Sequence, residues 1–326
     1  MTLSRRSLMA GTAAATLATP AIVTARTSWP TKPIRILIPF APGGTSDILA
    51  RLLQPRLQDA FGQPVVVENR PGANGTIAVD IVAKAAPDGT TLVLTDLGAL
   101  AISPSVMKVP FDLAKDFAPV IVLAYSPHLL AVYPGTPHKT AADLIAYAKA
   151  NPGKLNNATS GLGSPPHLAG ARFAHELGLS WTYIPLKGGA EAIQQVIGGH
   201  ADLLFNGMVA TLPHVQSGKL RGLAVSSAQR QAQTPDLPTI AEASGLKDFV
   251  TGSWQGVLAP PGTPAEVTAK LHAEIARIAA LPDVAQRFKE LGADPVLTKP
   301  AESHAWLQAE TARWAKVVKD TGIKLE

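Results

Sequence analysis

Ile34-Arg35-Ile36-Leu37-Ile38-Pro39-Phe40-Ala41-Pro42-Gly43-Gly44-Thr45-Ser46-Asp47 decides the architecture of this chain. Its opening is short, apolar and β-branched, which reads as a buried strand, and the Pro/Gly cluster behind it reads as a turn. A helical pattern follows from Thr45 to Phe61, where Ile48, Leu49, Leu52, Leu53 and Leu57 recur at three-to-four spacing until Gly62 ends it. The same unit then recurs. Val65–Glu68 runs through Asn69-Arg70-Pro71-Gly72 into a helix over about Gly75–Ala86, and Thr91–Leu94 runs into the loop Thr95-Asp96-Leu97-Gly98.

A second series lies further along. Helix Ala141–Ala150, N-capped by Thr140, stops at Asn151-Pro152-Gly153. Lys154–Ala158 leads through Thr159–Ser164 into a helix over Pro165–Leu177. Trp181–Ile184 leads through Pro185-Leu186-Lys187-Gly188-Gly189 into helix Ala190–Ile197. Asp202–Phe205 meets Asn206-Gly207, and Gly222–Ser226 is a further strand. In the tail, Thr263-Pro264-Ala265-Glu266 has the form of a capping box opening a helix to about Ala280. Helices over about Asp283–Leu291 and Ala301–Asp320 follow. The alternation predicts an α/β fold with mostly parallel sheets and strands buried on both faces.

The composition narrows the function. With 326 residues, 46% of them hydrophobic, the chain has material for one large or two ordinary domains, and disorder is excluded. It has no cysteine, which removes disulfides, thiolate metal sites and cysteine nucleophiles together. The formal charge of +5 includes an N-terminal leader: Ser4-Arg5-Arg6-Ser7 precedes an uncharged stretch from Leu8 to Ala25 that is rich in Ala and Thr. This is the layout of a cleaved export signal over residues 1–25. Its paired arginines point to the twin-arginine route, with an ordinary Sec signal as the alternative. Without the leader, 27 basic and 24 acidic residues leave +3. No run of four basic residues exists, so nucleic acid is not an expected partner. The Phe117–Pro137 stretch has no Asp, Glu, Lys or Arg, yet Pro119, Pro127, Pro134 and Pro137 interrupt it. Two buried strands, Val120–Ala124 and Leu129–Tyr133, fit it better than a membrane helix.

Enzyme signatures are missing: there is no G-x-S-x-G elbow, P-loop, H-E-x-x-H pair or G-x-G-x-x-G fingerprint, and no metal-ligand spacing among the eight histidines. What recurs instead is helix starts opened by Gly, Ser and Thr. Such starts present unpaired N–H groups and the positive end of the helix dipole, and they bind anions without a cationic side chain. The candidate loops are Ala41–Asp47, Ser160–His167 and Lys187–Ala190. Each also has a purely architectural reading. Pro42-Gly43-Gly44-Thr45 makes a tight turn and cap, Ser164-Pro165 an N-cap with a first-turn proline, and His167 a packing residue. Lys187 reads equally as a solvated loop lysine, Asp47 as a dipole complement, and Asp96 and Asn206 as turn formers. Together they suggest a small-anion site between two α/β lobes.

The chain beyond the leader resembles the Bug-type solute receptors, the substrate-binding proteins of tripartite tricarboxylate transporters. The resemblance runs in order through Trp29-Pro30-Thr31-Lys32-Pro33-Ile34-Arg35, Pro39–Asp47, Val65–Ala73, Ala85–Thr90, Lys115–Val120, His167-Leu168-Ala169-Gly170, Lys187–Ala190, Gly218-Lys219-Leu220-Arg221 and Trp254–Pro260. It implies a two-lobed periplasmic binding protein, type II-like, with a ligand cleft between lobes. Residues 26–124 and 228–326 would form the first lobe and 125–227 the second. Phe117–Pro137 would then hold the crossing strand and Leu223–Pro238 the return. The implied ligand is a small organic carboxylate, delivered to integral-membrane permease subunits by a monomeric receptor without cofactor or metal. A receptor feeding a signalling partner, and a serine hydrolase using Ser160 or Ser164 with His167, are the alternatives.

The residues the resemblance places at the ligand are Phe40, Ala41, Gly43, Gly44, Thr45, Asp47, Asp96, Ser160, Ser164, His167, Lys187, Gly188, Gly189, Ala190 and Asn206. Among them Thr45, Ser164, His167 and Gly188 are the expected donors. Three positions depart from the family pattern: Thr95-Asp96-Leu97-Gly98 stands where small residues such as Ser-Ser-Gly are usual, Asn206 where Asp is frequent, and Leu186 where an aromatic is common. An Asp96 facing the cleft would disfavour a second carboxylate and favour a hydroxyl or amino group; an Asp96 capping the next turn would not.

Overall fold

The computed structural model describes residues 29–321, so the export signal expected at 1–25 lies outside the described residues. The first series is β1 (Ile34–Ile38), α1 (Thr45–Phe61), β2 (Val65–Asn69), a 3₁₀ turn at Ala73–Gly75, α2 (Thr76–Ala83), β3 (Thr91–Asp96) and α3 (Leu97–Val106). A 15-residue strand, β4 (Ala118–Val132), then leads to the second series. That series is α4 (Ala141–Ala150), β5 (Asn156–Thr159), α5 (Pro165–Leu177), β6 (Thr182–Pro185), α6 (Gly189–Ile197), β7 (Leu203–Gly207), α7 (Met208–Gln216), β8 (Arg221–Val225) and α8 (Ile240–Ser244). The chain closes with β9 (Gly252–Ala259), α9 (Ala265–Ala279), α10 (Pro282–Glu290), β10 (Asp294–Pro295) and α11 (Pro300–Thr321).

The strands run in the order β2-β1-β3-β9-β4-β7-β5-β6, with β8 and β10 also paired to β4. β4 belongs to both halves. From Ala118 to Pro127 it lies antiparallel to β9, and from His128 to Val132 antiparallel to β7 and β8. The two strands expected over Val120–Ala124 and Leu129–Tyr133 are therefore one. Pro127 would interrupt a helix but not this strand, where it stands opposite Gly252 at the end of the β9 ladder, just before the pairing with β7 begins at His128. The sheets are mixed rather than mostly parallel: the β1–β2, β1–β3, β5–β6 and β5–β7 pairs are parallel, while every pair made by β4 or β9 is antiparallel.

Two cores result. Ile34, Ile36, Leu49, Leu53, Val120 and Ile275 meet around the first sheet, and Phe173, Phe205, Leu144 and Trp181 around the second. Ile240 and Phe249 pack in the second core, with Phe249 edge-on to Phe173. Both lie beyond residue 228, the expected start of the return to the first lobe, and β9 follows at Gly252. Local signals vary in how they are used. Thr140 and Asp143 form a capping box on α4, and Ser164 caps α5 with Pro165 behind it. The box expected at Thr263–Glu266 does not form: the Thr263 hydroxyl donates to the Pro260 carbonyl, and α9 starts without a side-chain cap. α3, α7 and α8 were not legible, the first two because Pro104 and Pro213 sit inside them.

Gly256, in the middle of β9, tests the crossing geometry. A Cβ there would stand 2.4 Å from Leu97 Cδ1 and 2.7 Å from the Ile121 carbonyl oxygen, a backbone atom that cannot step aside. Gly256→Ala should therefore destabilise the protein by roughly 1–3 kcal/mol. A melting temperature equal to that of the unmodified protein would contradict this packing.

Candidate functional site

The cleft between the lobes is built from helix starts. Gly44, Thr45, Ser46 and Asp47 open α1, Asp96 and Ala99 open α3, and Ser164, Pro165 and Pro166 open α5. Gly189 opens α6 and Gly207 precedes α7. Five helix N-termini thus converge on one space, because each βα turn lies at the carboxyl end of its strand. Phe40, Ser160, Asn206, Ser253 and Gln255 complete the lining, which among the described residues contains no Lys, Arg or His. The free volume at this degree of closure is about 40 Å³.

The first wall is held from below. Asp47 accepts hydrogen bonds from the Gly43 amide at 2.9 Å, from Arg51 Nε at 3.0 Å and from Asn69 Nδ2 at 3.0 Å. Burial alone would raise its pKa, but these bonds outweigh burial and hold the carboxylate below its ordinary range. Ser46 Oγ donates to Gln255 Oε1 at 2.7 Å, tying the start of α1 to β9. The amides of the first turns of α1 and α6 have no carbonyl four residues earlier and point toward the cleft end of their helices.

The opposite wall is more self-contained than its sequence suggests. Ser164 Oγ donates to the Gly161 carbonyl at 2.7 Å, receives Ser160 Oγ at 3.1 Å and caps the His167 amide. Its proton is therefore committed to the loop, and it shapes the wall rather than serving as the expected donor. His167 does not reach the cleft. It is buried, its Nδ1 accepts from the Gly163 amide at 3.1 Å, and its ring packs edge-on against Tyr183. Pro165 and Pro166 have no N–H, so α5 contributes its dipole more than its donors.

Of the remaining expected residues, Gly188 is buried where the lobes touch. An added Cβ would be 3.2 Å from both the Ala41 nitrogen and Phe40 Cβ, at φ +154°, and the Ala41 amide donates to the Lys187 carbonyl at 3.4 Å. Ala41, Gly43 and Ala190 line a neighbouring depression at this contact rather than the inner cleft. The Lys187 side chain is exposed and is not among the lining residues of either space. Phe40, Gly44, Thr45, Asp47, Asp96, Ser160, Ser164, Gly189 and Asn206 are brought together. Ser46, Ser253 and Gln255 were missed, although strand alternation in Ser253-Trp254-Gln255 was a usable signal: the two polar residues share a face.

Asp96 both caps and faces the cleft. It accepts the Gly98 amide at 3.0 Å as the N-cap of α3 and the Trp254 amide at 3.2 Å, with the Ser253 hydroxyl and Ala99 amide adding to these. Burial nevertheless dominates and raises its pKa to about 6. Ser253 Oγ stands 3.4 Å from Nε2 of His128, whose complete burial lowers its pKa to about 3.

A family model described as the tripartite tricarboxylate transporter family receptor matches residues 49–323. The chain belongs to that family. Protein BugT of Bordetella pertussis is 38% identical over the full length of both chains. The solved periplasmic binding protein BugD is 34% identical, with a TM-score of 0.86 over 91% of this receptor and 99% of that chain. An R. palustris protein solved with adipate is 38% identical, with a TM-score of 0.87 over 91% of this receptor and 99% of that chain. The Bug-type resemblance and the two-lobed α/β architecture read from the sequence are thus both met.

The buried imidazoles make the receptor's stability depend on pH. Burial lowers His167 to about 4, against an ordinary 6.5, so the unfolded chain binds the proton first. Its stabilising contribution is complete above about 6.5 and is lost as pH falls toward 4. Asp96 has the opposite sign: with its pKa raised from 3.8 to about 6, the folded state holds the proton, and stability from this group falls as pH rises through that window. His167→Asn should flatten the acid loss by up to roughly 1.4 kcal/mol per pH unit between the two histidine values. Urea unfolding at a series of pH values measures this slope, and equal slopes in both proteins would mean that the native imidazole is not held neutral.

Proposed function

We propose that this receptor captures a small organic carboxylate between its lobes in the periplasm and hands it to integral-membrane permease subunits. The observation that carries this reading is the convergence of five helix N-termini on a cleft without a cationic side chain. Partial positive charge on fixed amides pairs an anion while closure removes water from it. Adipate in a relative of 38% identity supports a carboxylate as the anion. A volume of about 40 Å³ holds roughly three waters, so a ligand of several carbons binds with the lobes slightly further apart.

Hydrolase chemistry has no support in the arrangement of its candidates. The Ser164 proton is given to the Gly161 carbonyl, and His167 Nδ1 is occupied by the Gly163 amide. Neither residue is placed as nucleophile or base toward the other.

Ligand-induced stabilisation tests the site directly. The refolded protein, freed of retained ligand, should gain about 2.7 kcal/mol in the presence of a carboxylate at a hundredfold excess over its Kd. Thr45→Phe, which fills the space opposite Gly207, should abolish that gain while leaving the ligand-free melting temperature within a few degrees. A full ligand shift in this variant would place binding elsewhere. Export is tested separately: the periplasmic form should lack residues 1–25 by intact mass, and replacing Arg5 and Arg6 by Lys should block export if the route is twin-arginine.

A further inference from the structure

We infer, resting on the carboxylate reading above, that Asp96 sets the specificity of the cleft and that the ligand carries an ammonium group beside its carboxylate. A zwitterionic amino acid, rather than a plain acid, completes this site.

The argument is one of charge balance in a closed space. The lining holds two carboxylates, Asp47 and Asp96, and no basic side chain. Asp47 is neutralised from behind by Arg51 at 3.0 Å. Asp96 has no such partner. Its donors are the Gly98, Trp254 and Ala99 amides and the Ser253 hydroxyl, which fix its position and favour its ionised form but carry no net charge. Among the described residues, Arg172 and His175 on α5 and His304, Lys316 and Lys319 on α11 are not among those that line this cleft. His128 on β4 and His167 on α5 are both held neutral by burial, and Arg313 on α11 is paired with Glu310. β3, α3 and β9 carry no basic residue. A plain dianion placed against this wall would face an unscreened like charge, whereas an ammonium group would meet its counter-charge while the carboxylate lay at the helix starts. With its carboxyl near 6, Asp96 is largely ionised at neutral pH.

Two ligand classes predict opposite pH behaviour, which makes the test decisive. An ammonium ligand needs Asp96 ionised, so its affinity falls as pH drops below about 6, by up to roughly tenfold per unit. A plain acid needs Asp96 protonated, and its affinity falls as pH rises above that value. Calorimetry on the refolded, ligand-free protein would compare propanoate with alanine, succinate with aspartate, and adipate with 2-aminoadipate, from pH 5 to 8. The expected result is that the amino member of at least one pair binds roughly tenfold or more tighter at neutral pH. Asp96→Asn, which retains a cap-forming side chain, should erase that preference, with Thr45→Phe as the variant that loses all binding. Should Asp96→Asn not fold, the pH dependence of the unmodified protein decides alone. A plain acid binding more tightly than its amino partner, or an Asp96→Asn variant with the preference intact, overturns the inference and leaves the carboxylate reading standing. Binding of none of the six takes down both.

Discussion

The antiparallel pairing of β4 with β9 is the constraint on which the rest of this molecule depends. β4 enters the first sheet at Ala118, leaves it at Pro127 and continues into the second, where it lies between β7 and β8. One strand thus carries two ladders, residues 118–127 with β9 and residues 128–132 with β7 and β8, and so links the two sheets covalently. Val120 to Ala124 and Leu129 to Val132 are completely buried, packed on both faces of the two sheets, and so must be apolar, while Ser126 and His128 between them are buried with hydrogen-bond partners. Each full burial of such a side chain contributes roughly 1.5–3 kcal/mol. This explains an uncharged stretch that by length alone would suit a bilayer.

β9 also supplies the floor of the cleft. Alternation along β9 turns Ser253 and Gln255 to the cleft and Trp254 to the other side, where it packs with Tyr125 and Trp306. Around this floor the βα turns of both lobes present their helix starts. A site made of backbone dipoles needs no counter-ion to be buried with it, and so avoids the desolvation cost that a lysine or arginine would incur in the closed state. It also requires close approach of the two walls, which is why Gly188 meets Ala41 without a side chain between them.

Much of the fold was legible before the structure. The helix over Pro165–Leu177 begins and ends where Ser164, the two prolines and Gly178 place it, since capping is a local property of the chain. The hydrophobic spacing from Ile48 to Leu57 likewise yielded α1. Nine of the expected site residues converge on the cleft because they sit in βα turns. His167 and Lys187 went astray for a different reason. Their residue types suggested ligand chemistry, but the direction of a side chain is set by packing, and these two point into the second core and into solvent. Ser164 shows the same limit at the level of one proton, which the loop itself consumes.

The sequence by itself determined the alternation of strand, glycine-rich loop and helix, the absence of enzyme motifs and the family. All of these follow from local propensity or from the order of short segments. Only the tertiary structure decided that β4 is single and shared, that Ile240 and Phe249 pack against Phe173 and its neighbours, and that Asp96 both caps α3 and faces the cleft. Those outcomes depend on which distant surfaces meet, as Asp96 meets Ser253 and Trp254 from more than 150 residues away. No window of sequence contains both sides of such a contact.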